Sequence, residues 1–387
     1  MAVRNSIAEI HDEVTAWRRD LHRHPELGFD THRTAGIVAE KLRAFGCDAI
    51  EEGVAQAGVV AVIRGRSTGS GRVIALRADM DALPLQEETG LPHASAIPGA
   101  MHACGHDGHT AMLLGAARHL AETRNFDGTV VLLFQPAEEG GAGARVMCDE
   151  GVLDRYGVHE VYGMHNWPGL PVGQFAIRPG PFFAAADQFT IRLAGRGAHA
   201  AKPHEGIDPI LVASHLVIAL QSIAAREVDP VAQAVVSVTA VQSSSMAWNV
   251  IPPTVELRGT VRSLDEAVRD RVEARVRAIT EGIAASFGAK AAIDYDRGYP
   301  VMANAETETL HAAEAARRVA GSCAEAPLIM GAEDFAFMLQ ARPGAYILVG
   351  NGDSAGVHNP AYEFDDGAIP AGVSWWAELV EGRMPAR

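Results

Sequence analysis

Short runs of consecutive apolar residues, each ending in a polar cluster, recur along much of the chain. The clearest are Val73-Ile74-Ala75-Leu76 ahead of Arg77-Ala78-Asp79, and 130–134 ahead of Gln135-Pro136-Ala137-Glu138-Glu139. Val161-Tyr162-Gly163-Met164 ahead of His165 is a weaker instance, and 346–349 leads towards His358. Runs this short and this apolar predict strands buried on both faces, as in an α/β sheet covered by helices. Helices are predicted between them, at 111–122 and 307–319. In such folds the chemistry collects in loops beyond the carboxyl ends of the strands, and the polar clusters fall there.

Between 187 and 296 the period changes to two. Phe189, Ile191 and Leu193 alternate with polar or small neighbours, as do Val255, Leu257, Gly259 and Val261. Helical stretches are expected at 207–226 and 264–287, the second opened by a capping box, Ser263-Leu264-Asp265-Glu266. With strands at 235–241 and 291–295 the order becomes βαββαβ, that of a ferredoxin-like unit. A chain of 387 residues is too long for one ordinary core. The expected division is therefore an α/β domain from 1–186 and 297–387, with an inserted lid or dimerisation domain at 187–296.

Composition narrows the function. Hydrophobic residues at 48% and charged residues at 21% describe an ordinary globular protein. A formal charge of −15 argues against a nucleic-acid binder, so an anionic ligand would need a local cationic anchor. The first 21 residues mix Arg4, Glu9, Asp12, Glu13, Arg18 and Arg19 into a helical period, unlike a signal peptide. No bilayer-spanning run is expected either. Cys47, Cys104, Cys148 and Cys323 show no framework spacing, and reduced thiols in a cytoplasm are the simplest reading.

The densest chemistry lies in Met101-His102-Ala103-Cys104-Gly105-His106-Asp107-Gly108-His109, just ahead of a predicted helix. Thiolate, imidazole and carboxylate are ligands of zinc-like or manganese-like ions, and Gly105 and Gly108 would let Cys104 and His106 converge. The bland alternative is a polar helix-entry loop. Glu138-Glu139 follows a buried strand, where adjacent carboxylates can divide labour, one on a metal and one on a proton. A solvated loop would explain an isolated pair as well, and His165 or His358 alone would be an ordinary structural histidine. Four strand-end segments that all offer ligand-type side chains favour a metal centre.

The segments that carry a family likeness are His22-Arg23-His24-Pro25-Glu26 within 21–29, Arg77-Ala78-Asp79-Met80-Asp81-Ala82-Leu83-Pro84, and 104–109. Next come Gln135-Pro136-Ala137-Glu138-Glu139-Gly140-Gly141, Gly163-Met164-His165 and Gly195-Arg196-Gly197-Ala198-His199-Ala200. Asn249-Val250-Ile251-Pro252, Gly331-Ala332-Glu333-Asp334-Phe335 and Val357-His358-Asn359-Pro360 complete the set. In this order the chain resembles the hippurate hydrolase and auxin-conjugate amidohydrolase branch of the aminoacylase/carboxypeptidase metallopeptidases. The resemblance implies a dinuclear-metal aminopeptidase-like catalytic domain with an inserted ferredoxin-like domain. It implies hydrolysis of the amide bond of N-acyl amino acids by a homodimer paired through 187–296, with no nucleic-acid or membrane partner.

It also implies roles. Cys104, His106, Glu139, His165 and His358 would hold two divalent ions, manganese or zinc, with cobalt or nickel also admissible. Glu138 would be the general base on a bridging water, and Asp79 a carboxylate orienting a ligand. His199 resembles the histidine that reaches across a dimer to the scissile carbonyl, while Asn249 and Arg262 resemble substrate contacts, Arg262 taking the free carboxylate. Glu256, Arg258, Thr260 and Arg262 share one strand face, so Arg258 remains an alternative anchor. Asp107 and His109 are lower-ranked substitutes for Cys104 as the bridging ligand. The chain departs from the family pattern at 241–248, at Pro253 and at Thr31-His32, and Met246 and Trp248 would lie close to bound substrate. Three other functions stay open: an N-acetyl-diamino-acid deacetylase, a dipeptidase, and a catalytically silent binding protein. A thiol nucleophile at Cys104 would differ from all metal readings in resisting a chelator.

Overall fold

The computed structural model describes residues 5–386. The first four positions of the N-terminal amphipathic stretch, Arg4 among them, lie outside the described residues. Two compact units emerge. One runs up to Gly180 and adds Ala303–Pro327 and the chain from Asp334 onward, and the other comprises Pro181–Met302 with Leu328–Glu333.

The first unit is built on eight strands. Their order is Ala49–Val54, Gly58–Arg64, Thr129–Gln135, Val73–Asp79, Glu160–Trp167, Gly344–Gly350, Phe175–Ile177 and Ala324–Glu325. The four apolar runs are its centre. Thr129–Gln135, Val73–Asp79, Glu160–Trp167 and Gly344–Gly350 pair in parallel, so their carboxyl ends share one edge. Nearly every residue in them is buried, which is why they read as unbroken apolar stretches rather than alternating ones. Ile74, Leu76, Ala78, Val130, Leu132 and Phe134 join Leu113, Ala117, Val373 and Trp376 in one large core. The residues between them, Arg77 and Asp79 included, point to the opposite face.

The second unit is the ferredoxin-like unit expected from the period. Its antiparallel sheet runs Ala234–Ser243, Thr254–Ser263, Ala185–Ala194, Lys290–Arg297. Pro209–Ser222 and Glu266–Ser286 are its helices, and Phe189, Ile191, Leu193, Val255, Leu257 and Val261 meet them in a core of their own. Buried Arg269 bonds the Asp187 carboxylate at 2.6 Å, and Tyr295 donates to the same group at 3.0 Å, pinning helix to sheet.

Four details differ from expectation. The second unit reaches to 181 and 302 rather than 187 and 296, because Ala184 N bonds Ile329 and Gly331 carbonyls and Ala186 N bonds Tyr299. Its long helix is capped by Asp265, which accepts from Val268 N at 2.9 Å, and not by Ser263, which is the last residue of a strand. The helix predicted at 111–122 begins at His106, since Gly105 at φ 89° turns the chain directly into it. Finally, Pro209–Glu227 is long and apolar enough, by length and composition, to cross a membrane. In this fold Val212, Leu216, Leu220 and Ile223 of that helix pack into the core of the second unit.

Candidate metal centre

The parallel strands deliver their loops to one edge, and the ligand-type side chains converge there. Cys104 precedes the turn at Gly105, and His106 opens the helix. A Cβ on Gly105 would lie 2.1 Å from Asn166 Nδ2, so no other residue fits this turn. His165 stands near the end of Glu160–Trp167, and Glu138-Glu139 follow Thr129–Gln135. His358 arrives on a loop at φ 63°, its N–H fixed to the Ala103 carbonyl at 2.7 Å. A left-handed conformation at a non-glycine residue stores strain, and here it aims the imidazole back at the cluster.

Three overlapping groups have ligand atoms within 4.8 Å of one another: Cys104, His106 and His165; Cys104, Glu139 and His358; and His106, Glu138 and Glu139. Cys104 Sγ lies 3.3 Å from His165 Nε2, and His358 Nε2 lies 3.1 Å from Glu139 Oε1. His106 Nε2 is buried with no hydrogen-bond partner, although the ring is held at Nδ1 by the Asp81 carbonyl at 2.8 Å. A buried nitrogen aimed into a nest of thiol and carboxylates, and left unpaired, fits a cation. Two groups sharing one thiol fit two ions.

The charges point the same way. Burial pushes the Cys104 thiol up, against the pull of His106. Hydrogen bonds that His358 donates to Cys104 and Glu139 carry it up to about 10. Burial lowers His165 well below its ordinary value, which keeps it a neutral ligand. A bound cation is what brings such a thiol to thiolate.

Around this set lie braces. The Asp81 carboxylate accepts the N–H groups of both Glu138 and Glu139, at 2.9 and 3.0 Å, directly after Ala137 at φ 56°. It therefore fixes how the two neighbouring carboxylates diverge. Asp79 is wholly buried and receives His109 Nδ1 and Arg77, both at 2.6 Å, while His106 Nε2 stands 3.8 Å away. Burial disfavours its charge, but Arg77, His106 and His109 outweigh that and hold it well below the usual carboxylate range. Asn166 donates to the Cys104 carbonyl at 2.6 Å and accepts from Tyr362 at 2.6 Å.

Asp107 falls outside the candidate ligand groups, and His109 enters one only with Asp79 and His106. Asp107 turns away to His22 at 2.9 Å and Arg18 at 3.3 Å, and His109 is spent on Asp79 and the Asn166 N–H. Asp81, Asn166 and Tyr362 carry no role that sequence alone assigns. Only Asp81 left a signal, its two-residue spacing from Asp79.

In the second unit, His199 and Asn249 are neighbours. His199 pairs with Val250 across two short strands, and Ala200 N donates to the Asn249 carbonyl at 2.9 Å. Arg262 is half-buried on the open sheet face, where its guanidinium donates to Thr260 and to the Val261 carbonyl. Arg258 is exposed and paired with Glu256 at 2.8 Å. Thr254 pairs with Ala194, near the His199 end, whereas Arg262 pairs with Ala186 at the other. Eight residues of strand separate the two ends, roughly 26 Å.

Fold and ligand set together define a dinuclear metal hydrolase. The profile of peptidase family M20/M25/M40 matches residues 75–382. N-acetylcysteine deacetylase of Bacillus subtilis is 41% identical over 95% of this chain and 96% of its own. Hippurate hydrolase of Campylobacter jejuni is 40% identical over 96% and 97% respectively. The Bacillus subtilis YXEP protein, described as a dinuclear metal binding peptidase from M20 family, superposes with a TM-score of 0.86 at 39% identity, covering 98% of this chain and 100% of that one. The chain belongs to this family, and it is a metal-dependent amidohydrolase.

Two outcomes follow from the braces. Asp81→Ala should weaken divalent-metal affinity about 10- to 100-fold, as loss of a ligand-orienting group does. Titration of the metal-free protein against a chromophoric chelator measures this, and unchanged affinity would show the brace to be idle. The second concerns His22: burial opposes its charge, but Asp107 and Glu87 outweigh burial and raise it from 6.5 to about 9. Protonated His22 thus stabilises the fold fully below pH 6.5, and that contribution fades as pH rises to about 9. Relative to His22→Gln, the wild-type chain should lose up to about 3 kcal/mol over that interval. Urea unfolding of both metal-free proteins at the two ends checks it, and parallel pH dependences would refute it.

Proposed function

We propose that the protein hydrolyses N-acyl amino acids to a carboxylic acid and a free amino acid, with Cys104, His106, Glu139, His165 and His358 holding two ions. The observation that carries this is the orphaned His106 Nε2 inside overlapping ligand groups, with Glu138 buried beside them. Zinc or manganese suits the set: the thiol favours zinc, and the imidazoles and carboxylate also accept manganese, cobalt or nickel. When bound, such ions polarise an amide carbonyl and make a water acidic enough to attack near neutral pH.

The chain's own groups do the rest. Glu138 is the base: its backbone is clamped by Asp81, and its Oε1 accepts from Asp334 N at 3.4 Å, so the carboxylate stays in place while it takes a proton and later returns it to the leaving amine. Arg262 receives the α-carboxylate, which lets an acidic protein take an anion. His199 steadies the oxyanion, with Asn249 beside it.

His199 sits on the two-stranded ribbon that leaves the sheet at the Thr254 end, and Arg262 stands towards the other end of that strand. That separation supports a site completed by a second copy. An open sheet edge supports it too: Ala234–Ser243 is an edge strand with Val235 and Val241 exposed, and Ile210, Leu211 and Ile218 are exposed on the helix beside it. All four cysteines are free, in keeping with a reducing compartment such as the cytoplasm.

Hippurate and a set of N-acetyl amino acids should be turned over, with activity lost to a chelator and restored by manganese or zinc. Glu138→Ala should lower kcat by at least about 100-fold while metal stoichiometry stays at two. Near-wild-type turnover in that variant would remove Glu138 from the role of base. Sharing between copies has its own test. Co-expressed Glu138→Ala and His199→Ala chains, each inactive alone, should recover about a quarter of wild-type activity, since half the dimers are hybrids with one intact site. No recovery, or a fully active monomer on sedimentation, would refute the shared site.

A further inference from the structure

Arg77 lies within a central strand, Val73–Asp79, and is only 1% exposed. A guanidinium is costly to bury there, and a well-packed apolar residue would serve stability as well. What an apolar residue cannot supply is a branched set of donors. Arg77 Nε donates to Gln135 Oε1 at 2.8 Å, Nη1 to Asp79 Oδ2 at 2.6 Å, and Nη2 to Asp334 Oδ1 at 2.9 Å. The Phe335 ring lies over the guanidinium at 5.8 Å, and Tyr346 backs that ring at 5.3 Å. The fork is therefore held by its edges and by its face.

The two carboxylates it joins lead to different halves of the site. Asp79 Oδ2, the oxygen that Arg77 holds, stands 3.8 Å from His106 Nε2, and Oδ1 takes His109 Nδ1 at 2.6 Å. Asp334 belongs to the side of the base. Its carboxylate accepts Gln135 Nε2 at 2.8 Å and the Ala144 N–H at 2.9 Å, and its carbonyl accepts the Phe337 N–H at 2.9 Å. Its own N–H donates to Glu138 Oε1 at 3.4 Å. Moving the guanidinium would move both the carboxylate beside His106 and the N–H against Glu138.

We propose that Arg77 is a positioning residue for hydrolysis: by spanning Asp79 and Asp334 it fixes Glu138 relative to the metal ligands. The inference rests on Glu138 being the base, as proposed above. A lysine keeps the charge, but its single ammonium cannot reproduce the planar fork that meets both carboxylates. A merely structural arginine would govern how much protein folds. A positioning one governs turnover in protein that is folded and loaded with metal.

The test measures kcat, KM, metal content and melting temperature of the full chain with manganese in excess, on hippurate and N-acetylphenylalanine. The proteins are wild type, Arg77→Lys, Asp334→Asn, their double variant and Glu138→Ala. Arg77→Lys should lower kcat about 100-fold, as a small misplacement of a reacting group does, with KM, metal content and melting temperature held. Asp334→Asn keeps the backbone N–H and the side-chain size but breaks the ion pair, so its kcat should fall too. The double variant should lose no more than the worse single one, because both substitutions break the same link. Unchanged kcat in either single variant overturns the inference, and so do losses that multiply in the double variant. A loss that further metal restores also overturns it, by confining Arg77 to metal retention, as does a loss matched by a fall in melting temperature. Should Arg77→Lys fail to fold, Asp334→Asn reads the same link from its other end. Activity retained in Glu138→Ala, or a wild-type chain inactive on both substrates, strikes instead at the reading of the base or of the reaction.

Discussion

Ligand atoms from a thiol, two carboxylates and three imidazoles crowd into overlapping groups within 4.8 Å, and most of these side chains are buried. Acceptors packed this closely repel one another and have lost their water, a cost of several kcal/mol unless cations sit among them. The rest of the first unit is arranged around holding that cluster in place. Parallel strands bring the carboxyl ends of Val73–Asp79, Thr129–Gln135 and Glu160–Trp167 to one edge, so each loop needs only a few residues to reach the centre. Ala137 and His358, non-glycine residues in the left-handed region, carry the local strain this convergence exacts, whereas Gly105 adopts it freely.

Buried carboxylates that are not ligands do the bracing. Asp81 holds the two N–H groups of Glu138 and Glu139. Asp334 ties Arg77 at 2.9 Å, Gln135 at 2.8 Å and the Ala144 N–H at 2.9 Å into one network behind the strand ends. Asp107, one residue past His106, is pulled to Arg18 and His22 and so anchors the first turn of the helix. Each is an ionic or hydrogen-bonded network that well-packed apolar residues could equal in stability. Their value lies in direction, because a carboxylate that accepts several donors at once fixes a backbone more tightly than a hydrophobic contact does.

The elements were legible in the sequence wherever burial is uniform or strictly alternating. The continuous runs at 73–76 and 130–134 marked central parallel strands, and the alternation at 255–261 marked a sheet with one wet face. Clustering of thiol, imidazole and carboxylate types at strand ends pointed to the metal centre before any geometry. Other features were hidden for physical reasons. Asp79 and Asp81 look equivalent in Arg77-Ala78-Asp79-Met80-Asp81, but the strand ends at Asp79. Asp79 therefore turns to Arg77 and His109, while Asp81 lies in the following turn beneath Glu138. Asn166 and Tyr362 matter only because Gly105 lets Asn166 approach within bonding distance of the Cys104 carbonyl, a contact between positions 62 apart in sequence. The cap at Asp265 was missed because Ser263, which fits the same box, is already committed to pairing with Ala185 and Ala234.

The second unit turns a property of strands into a constraint on chemistry. A ten-residue strand sets Arg262 about 26 Å from Thr254, the end at which the His199 loop leaves the sheet. Substrate contacts from this unit can therefore converge if two copies each contribute one end of the sheet, or else one of the two groups serves something other than substrate. The open edge strand favours the first arrangement, because an antiparallel sheet with exposed Val235 and Val241 at its rim gains hydrogen bonds and apolar burial by meeting its own copy.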